Sequence, residues 1–229
     1  MDDYFVVKRR LSATQYIDCH SHQPDLSGVF RIRSLDFKEF ASQNVFPEFY
    51  SVGVNHWHID NHSEQQLQSL NNNPQLLAIG ECGLDKSIAL PLAEQIPVFE
   101  QHIQLAADWH KPLIIHCVRA YNELMAIRLS HSTANAWLIH GCNCSFQQLQ
   151  QLLAAGFYCS FGSSLLNPKS KPAQYLKDLP IDRWLLETDA QAEIGIDQIY
   201  SCAARILGWE LDVLHQQMIK NFERILIND

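Results

Sequence analysis

Eight short apolar runs, rich in Ile, Val, Leu, Phe and Tyr, recur along the 229-residue chain, and they restrict its possible folds more than any other feature. They read QYIDC (15–19), GVFRIRSL (28–35), FYSVGV (49–54), LLAIGEC (76–82), PLIIHC (112–117), AWLIH (136–140), GFYCSF (156–161) and RWLLETD (183–189). Their length and composition favour strand. Between them, residues 92–110, 121–130, 145–155 and 211–226 carry helical spacing. In the third of these, Ser145 is placed to cap the amino end and Gly156 to follow the carboxyl end. Strands alternating with helices predict a parallel α/β fold, and eight strands predict a (β/α)8 TIM-type barrel. Residues 20–48 have poor helical periodicity, so the barrel is expected to be somewhat short and irregular in its early units. A doubly wound open sheet is the alternative, but its glycine-rich first turn is missing, since Gly28 stands alone. No repeat, low-complexity tract or polar linker divides the sequence. The expected organisation is an N-terminal extension over 1–14 and one barrel domain over 15–229.

Composition narrows the partners. Hydrophobic residues make up 47% of the chain, enough for a substantial core, and the formal net charge is −8. A general nucleic-acid binder carries a basic face that displaces counterions from phosphates. On this acidic chain any role on a polyanion needs local positive charge, for which a bound metal is the natural source. Seven cysteines, with no C-x-x-C pair, cannot all pair within one chain. Several lie inside apolar runs, where cysteine acts as a small hydrophobe. That suits a reducing cytoplasm. The opening MDDYFVVKRRLSATQ has neither the long apolar region nor the cleavage site of a signal peptide, and no membrane anchor is expected.

The strand ends are chemically loaded. In a parallel barrel the carboxyl ends of the strands converge on one mouth, where barrel enzymes keep their active sites. Here those ends carry His20 and His22 after the first strand, Glu81 at the fourth, His116 at the fifth, His140 at the sixth and Asp189 at the eighth. Side chains alternate along a strand, so His20 and His22 share a face while Cys19, Cys82 and Cys117, each beside one of these residues, point away. Imidazoles and carboxylates gathered on apolar strand ends carry a desolvation cost unless something compensates it. A divalent cation such as Zn²⁺ or Mn²⁺ is the ligand such a donor set suits, and Mg²⁺ suits its His-rich part less well. Glu187 shares the face of Asp189 and is placed to accept a hydrogen bond from a ligand histidine.

The same residues carry a family resemblance. DCHSH resembles the D-x-H-x-H opening of the TatD-type metal-dependent hydrolases, within the amidohydrolase-like barrels. AIGECGLD is similar to their A-I-G-E-x-G-L-D, PLIIHC to their P-x-x-I-H, LIHGC to their sixth-strand histidine and LLETDA to their E-T-D-A. The motifs follow family order from about residue 15 to the carboxyl end. The resemblance implies that His20, His22, Glu81 and Asp189 hold one metal and that Glu81, His116 and His140 hold a second, with Glu81 bridging. It also implies hydrolysis, often of phosphodiester bonds in DNA from an end, with Asp189 orienting or deprotonating the attacking water.

Three departures fall on substrate recognition. The family's third strand ends G-x-H-P, whereas this chain reads GVNHWHID, with Asn55 in place of the histidine and His56 in place of the proline. His56 or His58 could compensate; the alternative leaves His56, His58 and His62 on a long loop. After the fifth-strand histidine, Val118 takes the usual arginine position and Arg119 follows it. The Pro-Tyr pair after Asp189 is absent. Asn55, His56 and Asp85 are therefore candidate substrate contacts, with loop capping an equal reading for Asp85. Trp57, Arg119, Lys169 and Lys171 are scattered candidates for a strand-binding groove. His102, His110, His131 and His215 lie in or just after helix patterns and are expected at surfaces or helix ends.

Three functions compete. The leading one is a metal-dependent phosphodiesterase, a deoxyribonuclease acting on DNA. The second uses the same centre on a small ester, amide or lactone, which suits the acidic charge and the changed loops. A non-catalytic metal-binding barrel is the third, and loss of turnover on replacing Asp189 with metal still bound would exclude it.

Overall fold

A computed structural model describes residues 7–11, 15–60, 62–131 and 134–227. Its frame is a single sheet of eight parallel strands in chain order: β1 (Tyr16–Ser21), β2 (Val29–Asp36), β3 (Tyr50–Gly53), β4 (Leu76–Asp85), β5 (Leu113–Val118), β6 (Trp137–Ile139), β7 (Phe157–Phe161) and β8 (Trp184–Leu186). All eight predicted runs are strands. The sheet closes on itself just beyond β8. Asp189 pairs with Ser21, its amide donates to His20 O at 3.0 Å, and its own carbonyl accepts from His22 N at 3.1 Å. The closing bonds thus run through proposed site residues.

Strands covered on both faces should read as continuous apolar runs. They do: every residue of β4 is buried, as are Trp137, Phe157 and Trp184. Around the barrel lie α1 (Phe37–Ser42), α2 (Ser63–Gln68), α3 (Leu92–Trp109), α4 (Tyr121–Ser130), α5 (Phe146–Ala154), α6 (Lys171–Tyr175), α7 (Ile196–Leu207) and α8 (Leu211–Phe222). The Ser145 side chain accepts from Gln148 N and caps α5, and Gly156 takes φ +88° just after it, as the sequence predicts. The early units are irregular, also as expected: no helix separates β1 from β2, and α1 and α2 have six residues each.

Four helices fall outside the predicted segments. α1, α2 and α6 are too short for a periodicity to register. α7 is a different case, since Ile196, Ile199, Tyr200, Ala203 and Ala204 are buried at helical spacing, a signal present in the sequence. Of the expected N-terminal extension, residues 1–6 and 12–14 lie outside the described residues. Residues 7–11 are helical, bury Val7 and Leu11, and are tied down by Arg10 Nε donating to Glu48 at 2.9 Å. Among the described residues no helix is long and apolar enough to cross a membrane.

Candidate metal centre

The site is assembled by bends in the strands. Between Ile79 and Cys82, β4 holds one residue more than the β5 segment it pairs with, a bulge of the kind that re-aims a side chain. Glu81 sits in it between two glycines. Gly80 and Gly83 have φ of +137° and +139°, and a Cβ on either would lie within 2.3 Å of a β5 carbonyl oxygen. Only glycine accepts both the dihedral and the approach. The G-E-C-G spelling is therefore what turns Glu81 into the mouth while Cys82 stays buried. A second bulge, between Asp18 and Ser21 of β1, contains His20.

Glu81 turns one oxygen to each of two groups. Its Oε1 lies 3.1 Å from His116 Nδ1 and 3.1 Å from His140 Nε2, and those two nitrogens are 3.3 Å apart. Its Oε2 lies 3.4 Å from His22 Nε2 and 3.8 Å from His20 Nε2. Asp189 Oδ1 faces the same two histidines, 3.5 Å from His20 Nε2 and 3.7 Å from His22 Nε2. The structure thus brings together all six residues that the strand ends suggested. Donors bound about 2.1 Å from one cation stand roughly 3.0–3.4 Å apart, between octahedral and tetrahedral edges. Three of the seven separations fall in that interval, a fourth lies at its upper edge, and the rest are up to 0.4 Å wider.

The ring nitrogens test whether a cation fits. His20 is fully buried, yet neither of its nitrogens has a hydrogen-bond partner among the described residues; the same holds for His56 and for His140 Nδ1. A buried imidazole without partners is costly unless a ligand supplies them. Charge agrees with geometry. Burial alone would raise the Glu81 carboxyl, but His140, His116 and His22 hold it well below the usual range. Asp189 is likewise held low by His20 against the effect of burial. His140, opposed by burial, is pushed well up by Glu81 and Glu187. The centre is a negative well that attracts a proton, and a divalent cation would compete for the same place.

Behind these residues lies support that sequence reasoning only partly found. Glu187 accepts from Gly141 N at 2.7 Å and from the Ser160 hydroxyl, and its Oε1 stands 3.8 Å from His140 Nδ1, outside hydrogen-bond distance. Asp85 caps the loop, one of the two readings considered for it, and also reaches a ligand histidine. Its Oδ1 caps the loop through Ser87 N at 2.6 Å, and its Oδ2 lies 3.2 Å from His116 Nε2. Asp18, unnoticed beyond its place in the motif, accepts from Thr188 N at 2.9 Å, Thr188 Oγ1 at 2.8 Å and Arg31 Nε at 2.9 Å. Burial raises its carboxyl to about 6, with Arg31 opposing.

The altered third-strand loop separates its three histidines. His56 is buried, stacks on His116 with ring centroids 3.9 Å apart, and lies 3.7 Å from Asp85, making a second group of potential ligands with those two residues. Burial, with His116 adding to it, lowers His56 to about 4. His58 and His62 stay on the loop, His58 against Asp36 at 2.9 Å. Asn55 folds back, its side-chain oxygen accepting from Trp57 N at 3.0 Å. His102 corrects its surface expectation: it is fully buried and accepts from Val54 N at 2.9 Å. His110 and His131 do stand at helix ends. Cys19, Cys82 and Cys117 are buried and belong to none of the candidate ligand groups among the described residues.

The sequence profile of the family described as TatD related DNase matches residues 27–227. Among similar proteins, the metal-dependent hydrolase YjjV of Escherichia coli K12 is 29% identical over 156 residues, covering 65% of this chain and 60% of that protein. The 3'-5' ssDNA/RNA exonuclease TatD of Erwinia billingiae is 27% identical over 173 residues, covering 72% of this chain and 66% of that one. The match therefore spans less than two thirds of either relative's length. In three dimensions the crystal structure of the YjjV TatD homologue from Escherichia coli superposes with a TM-score of 0.82 at 22% identity, covering 94% of this chain and 99% of the other.

Proposed function

The chain belongs to the TatD-related DNase family, and from that footing we propose that it is a divalent-metal-dependent hydrolase that shortens single-stranded nucleic acid from its 3′ end. The observation that carries this reading is the division of Glu81 between two histidine groups, with Asp189 beside the first. On it, His20, His22, Glu81 and Asp189 hold one cation and Glu81, His116 and His140 a second, with Mn²⁺ or Zn²⁺ suiting the donors better than Mg²⁺. When bound, such cations would supply the positive charge that acidifies a water and neutralises a phosphoryl oxygen. Asp189, half-buried and held anionic, orients that water and takes its proton. Asp85 accepts from His116 Nε2–H, which fixes the tautomer that turns Nδ1 to Glu81. Seven buried unpaired thiols suit a reducing compartment, and we place the protein in the cytoplasm.

One observation favours a second reading, hydrolysis of a small ester, amide or lactone: in a chain already at −8 the mouth is lined by Asp36 and Glu39, which hold His58 at 2.9 Å and Arg33 at 2.7 Å, and among the described residues that line it no lysine or arginine faces a phosphate. A single experiment separates the two. The Mn²⁺-loaded protein and an Asp189→Asn variant are incubated with 5′-labelled single-stranded DNA. Progressive shortening by the wild type, lost in the variant, is expected. Intact DNA with metal bound, beside turnover of a small ester or lactone, would transfer the assignment to the second reading.

A further inference from the structure

The loop after β3 mounts an indole at the rim of the centre. Trp57 is 64% exposed, more than Trp209 at 36%, while Trp137 and Trp184 are fully buried. Exposure alone says little, because single apolar side chains are common on surfaces. What sets Trp57 apart is where it stands and how it is held. Its ring lies 4.5 Å from His56 and 6.2 Å from His116, and it lines a cavity of about 200 Å³ together with His22 and Glu81. The backbone beneath it is pinned three times. Trp57 N donates to Asn55 Oδ1 at 3.0 Å, His58 N to Asn55 O at 2.7 Å, and Asn55 N to Asp36 Oδ2 at 3.2 Å. One residue earlier, His102 holds Val54 N. The departure of GVNHWHID from the family pattern therefore builds a rigid aromatic mount.

The cavity beside it is the wrong place for a second phosphate. Its ionisable walls are Asp36, Glu39 and Glu81 with His22 and His58; among the described residues no lysine or arginine lines it, and the nearby Arg33 is held by Glu39 Oε1 at 2.7 Å. Carboxylates repel phosphate and accept hydrogen bonds from the amino and imino groups of a base. About 200 Å³ is below the roughly 300 Å³ at which sites for drug-sized ligands begin, and it accommodates one ring system.

We propose that Trp57 is the stacking platform for the terminal unpaired base of a single-stranded nucleic acid whose scissile phosphate lies at the metal centre. This rests on the phosphodiesterase reading above. An aromatic face takes any base, so the platform selects an unpaired end over a duplex without selecting sequence. It also gives this acidic chain a handle on nucleic acid that does not depend on basic residues.

The test is equilibrium binding in Mn²⁺, read by fluorescence anisotropy, of two 5′-labelled oligonucleotides with hydrolysis-resistant phosphorothioate 3′ linkages. One ends in an ordinary nucleotide and the other in an abasic residue. The wild type should bind the base-bearing end about tenfold more tightly, as expected for one base–aromatic stack. Trp57→Ala should bring the two affinities together, and Trp57→Phe should keep most of the preference. Equal affinities in the wild type, no binding, or a preference that survives in Trp57→Ala overturns the proposal. Hydrolysis of unmodified DNA is scored separately. Cutting without base preference removes the stacking platform alone, and base-dependent binding without cutting removes the nuclease reading alone.

Discussion

Two regions of the molecule bury histidine and treat it in opposite ways. In the wall between α3 and β3, His102 has both ring nitrogens engaged: Nδ1 donates to Val98 O at 2.7 Å and Nε2 accepts from Val54 N at 2.9 Å. At the mouth, His20 is as deeply buried and neither nitrogen has a hydrogen-bond partner among the described residues, although two carboxylates stand within 4 Å. The first imidazole is a structural clamp, neutral and complete. The second is half of an interaction. The difference teaches that burial does not mark a site; unmet hydrogen-bonding capacity beside opposite charge does.

Exchanging the two treatments tests this. The largest effect should come from His20→Ala, which is expected to lower hydrolysis at least about 100-fold and to reduce bound metal by elemental analysis. The same change opens a cavity where a buried ring stood and removes its attraction for Asp189, so the metal-free protein should lose about 1–3 kcal/mol whatever the role of His20, and the discriminating readout is the metal. A large destabilisation without metal loss would make His20 another clamp. His102→Leu should do the reverse. Leaving the buried Val54 N–H unpaired should cost about 2–3 kcal/mol in urea unfolding, with metal content unchanged. The clamp also has a pH signature. Burial lowers His102 to about 4, against 6.5 for the free side chain. The unfolded chain therefore takes up a proton that the folded chain refuses, and stability falls as pH drops from 6.5 towards 4. Between pH 7 and pH 5 the wild type should lose about 2 kcal/mol more than His102→Leu. Parallel losses in the two proteins would show that His102 is not the titrating group.

Both regions differ in how far the sequence discloses them. The strands and the six mouth residues were legible because each lies at the end of an apolar run, where parity and the shared mouth of a parallel barrel fix its direction. Ser145 and Gly156 were legible because capping is local. His102 was not, because a histidine in a helix pattern looks alike whether it faces water or a neighbouring strand, and its partner, Val54 N, lies 48 residues away. His56 was visible as a candidate contact, but its stack on His116 was hidden for the same reason, because it joins the loop after β3 to strand β5, 60 residues further along the chain. Trp57 was visible as a residue, but its mounting depends on Asn55 turning back on its own loop.

The seam between β1 and β8 adjoins the mouth but is built like the clamp, with its polar groups paired, and it supplies the smallest expected effect. Thr188 precedes Asp189, which takes φ +52°, and its hydroxyl donates to Asp18 at 2.8 Å and lies 2.7 Å from Ser21 Oγ. Asp18 keeps Thr188 N and Arg31 as donors when that hydroxyl is removed, so Thr188→Val should cost only about 1 kcal/mol of stability. Its effect on turnover should be larger than that cost suggests. The same seam fixes the backbone that aims Asp189 at His20 and His22, and displacement of a positioned group weakens catalysis with little change in binding. About a tenfold fall in kcat with KM unchanged is expected, with Thr188→Ser restoring both stability and rate. If Thr188→Val loses stability and keeps full kcat, the seam is a clamp like His102. If it loses kcat as expected, one hydrogen bond serves both the closure of the barrel and the aim of Asp189.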